Sequence, residues 1–300
     1  MSEATERTGQ TTVTTAATAA ADSAGTASGG VRAAYDRARA EGRAALVGYL
    51  PAGFPTCEGA IEAAKVMVDA GCDVIEIGLP YSDPMMDGPT IQDAVHQALV
   101  GGVRVADVFR TVEAVAATGV PPLVMTYWNP VDRYGVEAFA RDLKSAGGAG
   151  LITPDLTPEE AGPWLEAAEA HDLDRVFLVA LSSTDERIEK IVKVCRGFVY
   201  AASLMGVTGT RGTVDTGAPR LVERTRAAVA RTGSGLPVGL GLGVSTGAQA
   251  AEVAGFADGV IVGSAFIRRL LDAPDLPTGL KDLRLLTAEL AAGVRHPVVP

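Results

Sequence analysis

Short β-branched runs alternate along this chain with longer stretches in which apolar residues recur every three or four positions. Loops rich in Gly and Pro separate the two kinds of segment. The short runs predict strands over Ala45–Leu50, Val74–Ile77, Leu123–Tyr127, Gly150–Thr153, Val176–Leu181, Phe198–Ala202, Pro237–Leu240 and Gly259–Val262. The longer stretches predict helices over Glu58–Ala70, Ile91–Leu99, Val105–Ala117, Val136–Ala146, Pro158–Ala170, Thr184–Val194, Ala218–Arg231 and Gly247–Ala254. Two more, Ala265–Leu271 and Leu280–Ala291, follow at the C-terminal end.

Helix ends carry their own signals. Thr157-Pro158-Glu159-Glu160 places a capping hydroxyl, a Pro at the first helical position and a Glu at the third. Ser183-Thr184-Asp185-Glu186 reads as a second capping box, so Thr157, Ser183 and Glu186 are taken as caps rather than as chemistry. Gly71, Gly119 and Gly147 stand where helices should stop. Eight strand–helix units in about 240 residues predict the α/β class and a (β/α)8 TIM barrel with extra helices. A doubly wound open sheet is the alternative. In both, chemistry belongs at the carboxyl ends of the strands.

Residues 1–30 break the rhythm. They are Thr, Ala, Ser and Gly with almost no large apolar side chain, so a disordered tail is expected there and one barrel domain over 31–300. Glu3, Glu6, Asp22 and a single Arg7 argue against a transit peptide. A formal charge of −10 argues against nucleic acid or an anionic membrane as the main partner, but not against a small anionic substrate. Three separated cysteines without CxxC spacing and three isolated histidines argue against a zinc site and for a reduced, cytoplasmic setting. No apolar run approaches the roughly 18 residues that span a bilayer.

Candidate chemistry centres on Asp73 to Thr90. Glu76 falls inside the second strand and Asp87 in the turn-rich loop after it. A carboxylate in an apolar strand is costly to bury unless paired or neutralised. One reading makes the two an acid–base pair, with Glu76 pushed toward neutral pKa and Asp87 ionised against an N–H donor. The other pairs Glu76 with a barrel Lys or Arg and makes Asp87 a turn residue or the cap before Pro89.

Two glycine turns follow strands 7 and 8: Gly239-Leu240-Gly241-Leu242-Gly243-Val244-Ser245 and Val262-Gly263-Ser264-Ala265. Backbone N–H groups at these positions of a barrel commonly hold a phosphate, while tight turns alone are the plainer reading. Ser203 to Gly212, after strand 6, is long and glycine-punctuated, either a lid or a slack surface loop. Tyr200, Tyr127 and Trp128 lie at strand ends, facing a site or filling the core. His96 alone on an amphipathic helix is a surface or core residue rather than a ligand.

The string Ile75-Glu76-Ile77-Gly78-Leu79-Pro80-Tyr81-Ser82-Asp83-Pro84-Met85-Met86-Asp87-Gly88-Pro89-Thr90-Ile91-Gln92 closely resembles the signature of the tryptophan synthase alpha chain family. Tyr49-Leu50-Pro51-Ala52-Gly53, Met125-Thr126-Tyr127-Trp128-Asn129-Pro130, Asp155-Leu156, Gly206-Val207-Thr208-Gly209, Gly241-Leu242-Gly243-Val244 and Gly263-Ser264 match further family segments in order. The likeness covers about Val31 to Val294.

The resemblance implies a (β/α)8 barrel that cleaves indole-3-glycerol phosphate to indole and glyceraldehyde 3-phosphate, a carbon–carbon lyase step of tryptophan biosynthesis. It implies Glu76 and Asp87 as catalytic residues. Tyr49, Tyr127, Tyr200, Thr208, Gly209, Gly241, Gly243, Gly263 and Ser264 are implied as substrate-binding. It implies no cofactor in this chain, and a pyridoxal-phosphate beta chain as partner in an α2β2 assembly. A stand-alone lyase releasing free indole is the alternative. The chain departs from the common family pattern at Phe54, Leu204, Thr157 and Met86, positions that bear on loop closure and on loop contacts to phosphate and partner.

Overall fold

The computed structural model describes residue 1, residues 30–203 and residues 217–298. Eight parallel strands, each paired with the next in sequence and the last with the first, close into a barrel. They are β1 (Ala45–Pro51), β2 (Val74–Gly78), β3 (Pro122–Met125), β4 (Gly150–Thr153), β5 (Asp174–Ala180), β6 (Val199–Ala202), β7 (Val238–Gly241) and β8 (Gly259–Val262). The helices are α1 (Val31–Ala40), α2 (Cys57–Ala70), α3 (Pro89–Val100), α4 (Val105–Ala116), α5 (Trp128–Tyr134), α6 (Val136–Ser145), α7 (Gly162–Ala170), α8 (Asp185–Val194), α9 (Gly217–Thr232), α10 (Gly247–Ala254), α11 (Ser264–Leu271) and α12 (Leu276–Arg295). The closed barrel is the expected architecture, and the open sheet is excluded. Among the described residues no helix is long and apolar enough to cross a membrane. The predicted tail falls almost wholly outside the described residues.

Two elements escape the periodicity reading. α1 carries Val31, Ala34, Tyr35 and Ala38 on one buried face, but three of its four buried residues are aliphatic and two are alanines, so the stripe is faint. α5 spans seven residues, too few for a 3.6-residue period to show, and its onset ends β3 at Met125 rather than Tyr127.

Two caps are misassigned by sequence. α7 begins at Gly162, not Pro158, because Pro163 is tolerated only in the first turn of a helix. Thr157 instead closes a turn, its carbonyl accepting from the Glu160 N–H at 3.0 Å. The cap of α8 is Thr184, which accepts from the Arg187 N–H at 3.2 Å, while the Ser183 hydroxyl accepts from the Ala180 N–H. Gly71 caps α2 in the left-handed conformation, as expected.

Alternation along each strand divides the core in two. Ile75 and Ile77 of β2 face the helix layer, with Leu46, Val124, Leu151 and Phe177. Val47, Val74, Leu123, Ile152, Val176, Phe198 and Ile261 fill the barrel, joined by the buried face of α1. α1 thus closes the end of the barrel where strands begin. It is tied to β5 there by the Asp174 carboxylate, which faces the Val31 N–H and is itself paired with Arg196 Nε at 3.2 Å.

Candidate active site

Glu76 stands on the inward-facing side of β2, two residues beyond Val74. It is 1% exposed, and neither carboxylate oxygen has a hydrogen-bond partner among the described residues. The ion-pair reading therefore has no partner to name. Burial alone pushes its pKa up to about 8.

Asp87 comes in the loop that carries the chain from β2 to α3. The cap of α3 is Gly88, so Asp87 does not serve as the cap before Pro89. Its loop is pinned on three sides: the Asp87 N–H donates to the Pro84 carbonyl at 3.2 Å, Gln92 Nε2 donates to the Asp87 carbonyl at 2.7 Å, and the Met86 N–H donates to the Tyr127 hydroxyl at 2.8 Å. Burial pushes the Asp87 carboxyl up to about 6.

Tyr127 occupies the cap position of α5, and its ring centroid lies 5.4 Å from that of Tyr81. α5 is itself held by Asp155 from the end of β4, whose carboxylate accepts from the Trp128 N–H at 2.9 Å. Asn129 Nδ2 reaches the Tyr81 hydroxyl at 3.3 Å. Tyr81, Asn129 and Asp155 were quoted above only as parts of matching strings, with no role. Their shared signal is position, since each lies within four residues past a strand end.

Tyr49 from β1 and Tyr200 from β6 complete the polar wall. Burial raises both hydroxyls well above the usual tyrosine range, and the Glu76 and Asp87 carboxylates push each further up. Tyr49, Tyr81, Asp87 and Tyr127 line one cavity with Leu79, Val95, Met125, Thr126 and Pro154. Five of the sequence-selected residues, Glu76, Asp87, Tyr49, Tyr127 and Tyr200, thus gather at one end of the barrel. Thr208 and Gly209 lie outside the described residues, as does the lid candidate beyond Ser203.

The glycine turns sit beside these tyrosines. A Cβ on Gly241 would lie 2.5 Å from the Tyr200 hydroxyl, and one on Gly263 would lie 3.2 Å from Tyr49 Cδ1. Both glycines have a use that sequence did not suggest, which is to leave room for a tyrosine inside the barrel. Gly243 differs. Its φ is +76° and the space around an added Cβ is open. Gly263 and Ser264 open α11, which has no side-chain cap, and both are partly exposed.

Residues 35–295 match the family model described as tryptophan synthase alpha chain. The chain belongs to the tryptophan synthase alpha chain family. It is 66% identical over 264 residues to the tryptophan synthase alpha chain of Salinispora arenicola, covering 88% of this chain and 97% of that one. It is 62% identical over 259 residues to that of Streptomyces coelicolor, covering 86% and 94%. Among solved structures, the tryptophan synthase of Mycobacterium tuberculosis in space group F222 is similar at TM-score 0.80 and 57% identity, over 88% of this chain and 98% of that one. A structure of the tryptophan synthase α2β2 complex from Pyrococcus furiosus is similar at TM-score 0.77 and 31% identity, over 83% and 98%. The family resemblance drawn from the motifs is thereby shown across most of the chain.

Proposed function

We propose that this chain cleaves indole-3-glycerol phosphate to indole and glyceraldehyde 3-phosphate by retro-aldol chemistry. The observation that carries the reading is the unpaired, buried carboxyl of Glu76, with a second carboxyl, Asp87, acting on the same two tyrosine hydroxyls, Tyr49 and Tyr200, on the frame of this family. Held near a pKa of about 8, Glu76 is mostly protonated at neutral pH and can give its proton to indole C3. The ring then carries positive charge at N1–H. Asp87, held near 6, is mostly ionised at the same pH and balances that charge in a water-poor pocket. Glu76, now a carboxylate, takes the proton from the hydroxyl on the adjacent chain carbon, directly or through water. The bond from C3 to that carbon breaks, its electrons return to the ring, and the hydroxyl carbon becomes the aldehyde.

Tyr49, Tyr127 and Tyr200 shape the indole end of the pocket. The phosphate end is assigned to the N–H groups of Gly243, Gly263 and Ser264, with Gly241 on the same wall and Thr208 and Gly209 from the loop after β6. A helix N-terminus and a left-handed glycine are the elements that bind an anion without a cationic side chain. Remote phosphate binding can then be used at the reacting carbon. The chain needs no cofactor for these steps; pyridoxal phosphate is assigned to a beta chain that receives the indole in an α2β2 assembly, in the cytoplasm. The experiment is an assay of indole release from indole-3-glycerol phosphate, with and without the beta chain from the same source. Slow release alone and clear stimulation by the beta chain are expected. No release under either condition would overturn the reading.

A further inference from the structure

A second cavity, of about 230 Å³, lies at the end of the barrel where strands begin, bounded by α1, the α1–β1 turn, α9, the turn before β8 and Pro297 beyond α12. Tyr35 forms its inner side. The residue is 2% exposed and its ring stacks on Phe198 with centroids 5.3 Å apart. Its hydroxyl fills the space inside the strands, where a Cβ on Gly239 or on Gly259 would lie 2.6 Å away. The cavity shares no lining residue with the pocket around Asp87, so it is a separate site.

Its lining is cationic, in a chain of formal charge −10. Arg39, Arg43 and Arg226 line it with a single carboxylate, Asp258. Arg43 is engaged elsewhere: its guanidinium forks onto Asp73 at 2.7 and 2.8 Å, and its Nε donates to Glu41. Arg39 and Arg226 come instead to one and the same oxygen of Asp258, Arg226 at 3.0 Å and Arg39 at 3.7 Å. The other Asp258 oxygen accepts from the Val238 N–H at 2.8 Å. The second ion contact of Arg39, with Asp36 at 3.9 Å, is shared with Arg32 at 3.1 Å. Three guanidiniums, Arg32, Arg39 and Arg226, thus meet two carboxylates, which leaves one positive charge in excess. Tying a helix to the start of β8 needs one guanidinium, and Arg226 provides it. Arg39 stands beyond hydrogen-bond reach of both its carboxylates, and an exposed pair at that range adds little stability.

The chemistry of the lining selects a ligand. A guanidinium offers parallel N–H groups to a planar pair of oxygens, which is the shape of a carboxylate. One excess positive charge matches a monoanion, while a doubly charged phosphate would be repelled by Asp258. Ala254, Phe256 and Pro297 make another part of the wall apolar. An apolar cavity of about 150 Å³ takes up benzene, so about 230 Å³ has room for one ring and its carboxylate. We propose that this cavity binds a small aromatic monocarboxylate, its oxygens on Arg39 and Arg226 and its ring against Phe256. The site does not depend on the reaction proposed above.

The test is titration calorimetry of benzoate into the full chain. Benzamide serves as the uncharged analogue and inorganic phosphate as the anion without a ring. Benzoate should bind once per chain with a Kd on the order of 1 mM or below. Benzamide and phosphate should each bind at least about tenfold more weakly, the first lacking the charge and the second the apolar body. Arg39→Gln should weaken benzoate about tenfold and keep the wild-type thermal midpoint, because no hydrogen bond to Asp36 or Asp258 is lost. In crystals of the wild-type chain, 4-iodobenzoate located by its anomalous signal should lie beside Arg39 and not beside Tyr127, a result that needs no variant. No binding at about 10 mM benzoate would overturn the proposal. So would equal affinity in Arg39→Gln, phosphate or benzamide binding as tightly as benzoate, or iodine found only in the Tyr127 pocket.

Discussion

The Tyr200 hydroxyl occupies the space that a side chain on Gly241 would need, 2.5 Å from where its Cβ would sit. Tyr200 and Gly239, and Ala202 and Gly241, are register partners on β6 and β7, so the phenol crosses from one strand to the bare end of the next. Gly241→Ala should push Tyr200 off its rotamer, at a cost of about 1–3 kcal/mol in stability. We expect kcat to fall at least about tenfold, since a displacement near 1 Å at a reacting site can cost more than that. Adding Tyr200→Phe removes the oxygen that clashes. Ring carbons Cε1 at 2.8 Å and Cζ at 3.0 Å still crowd the new Cβ, so the double variant should regain only part of the wild-type thermal midpoint and not its turnover. A single variant with wild-type midpoint and kcat would show that the close approach does not matter.

Tyr127 holds the loop that carries Asp87 by its hydroxyl, which accepts from the Met86 N–H at 2.8 Å and also faces the Asp87 N–H. Tyr127→Phe keeps the ring against Tyr81 and loses this bond, worth about 1 kcal/mol. kcat/KM should drop about fivefold while the thermal midpoint stays put. Met85 is fully out in solvent at 91% exposure, so proteolysis at the Met85–Met86 bond should speed up in parallel. An unchanged cleavage rate would mean that the loop is held by Gln92 and Pro84 alone.

Seven of the eight strands were legible as short apolar runs with Gly or Pro close by; β5, between His171-Asp172-Leu173 and Leu181-Ser182-Ser183, has neither and was legible from its apolar run alone. Glu76 was legible because a lone carboxylate in such a run has no cheap explanation. Asp87 was not separable from a cap by residue type; the cap at Gly88 removes that reading, while its N–H donated to the Pro84 carbonyl makes it a turn residue as well. Tyr35 gave no signal at all, because a tyrosine in an Ala-rich amphipathic stretch looks like core. Its neighbours Gly239 and Gly259 come from strands some 200 positions later and meet it only when the barrel closes. Gly241 and Gly263 carried the opposite ambiguity. Their types suggested anion turns, while the space they leave for Tyr200 and Tyr49 depends on side chains from other strands.

The two carboxyls set a pH window. The reaction needs Glu76 protonated and Asp87 ionised, and burial holds them near 8 and near 6. kcat/KM, which reports the free enzyme, should be bell-shaped with limbs near those values. Asp87→Asn removes the group behind the acidic limb. The small remaining activity should be flat from pH 5 to about 7 and fall only on the alkaline side. An acidic limb that survives Asp87→Asn would assign it to another group.

Glu76 also gives stability and activity opposite signs. Its folded pKa is raised from an ordinary 4.5 to about 8 by burial. Between those values the folded chain holds a proton that the unfolded chain has lost, so stability falls as pH rises through the interval. Below pH 4.5 both states are protonated and the penalty vanishes. Above pH 8 it reaches its full size, at most about 5 kcal/mol. Glu76→Gln cannot ionise and escapes it. The variant should lose nearly all turnover, by at least the 10²–10⁴ typical of a general acid–base group, yet keep substrate affinity. Its thermal midpoint relative to wild type should climb steadily from pH 5 to pH 8. A structural ion-pair member would do the reverse, since Gln would lower the midpoint at every pH where the pair is charged. Melting curves of both proteins across pH 4 to 9, set beside kcat and the Kd of the bound substrate, decide the matter. A midpoint difference that stays constant with pH would mean that the Glu76 carboxyl is not held protonated in the folded barrel.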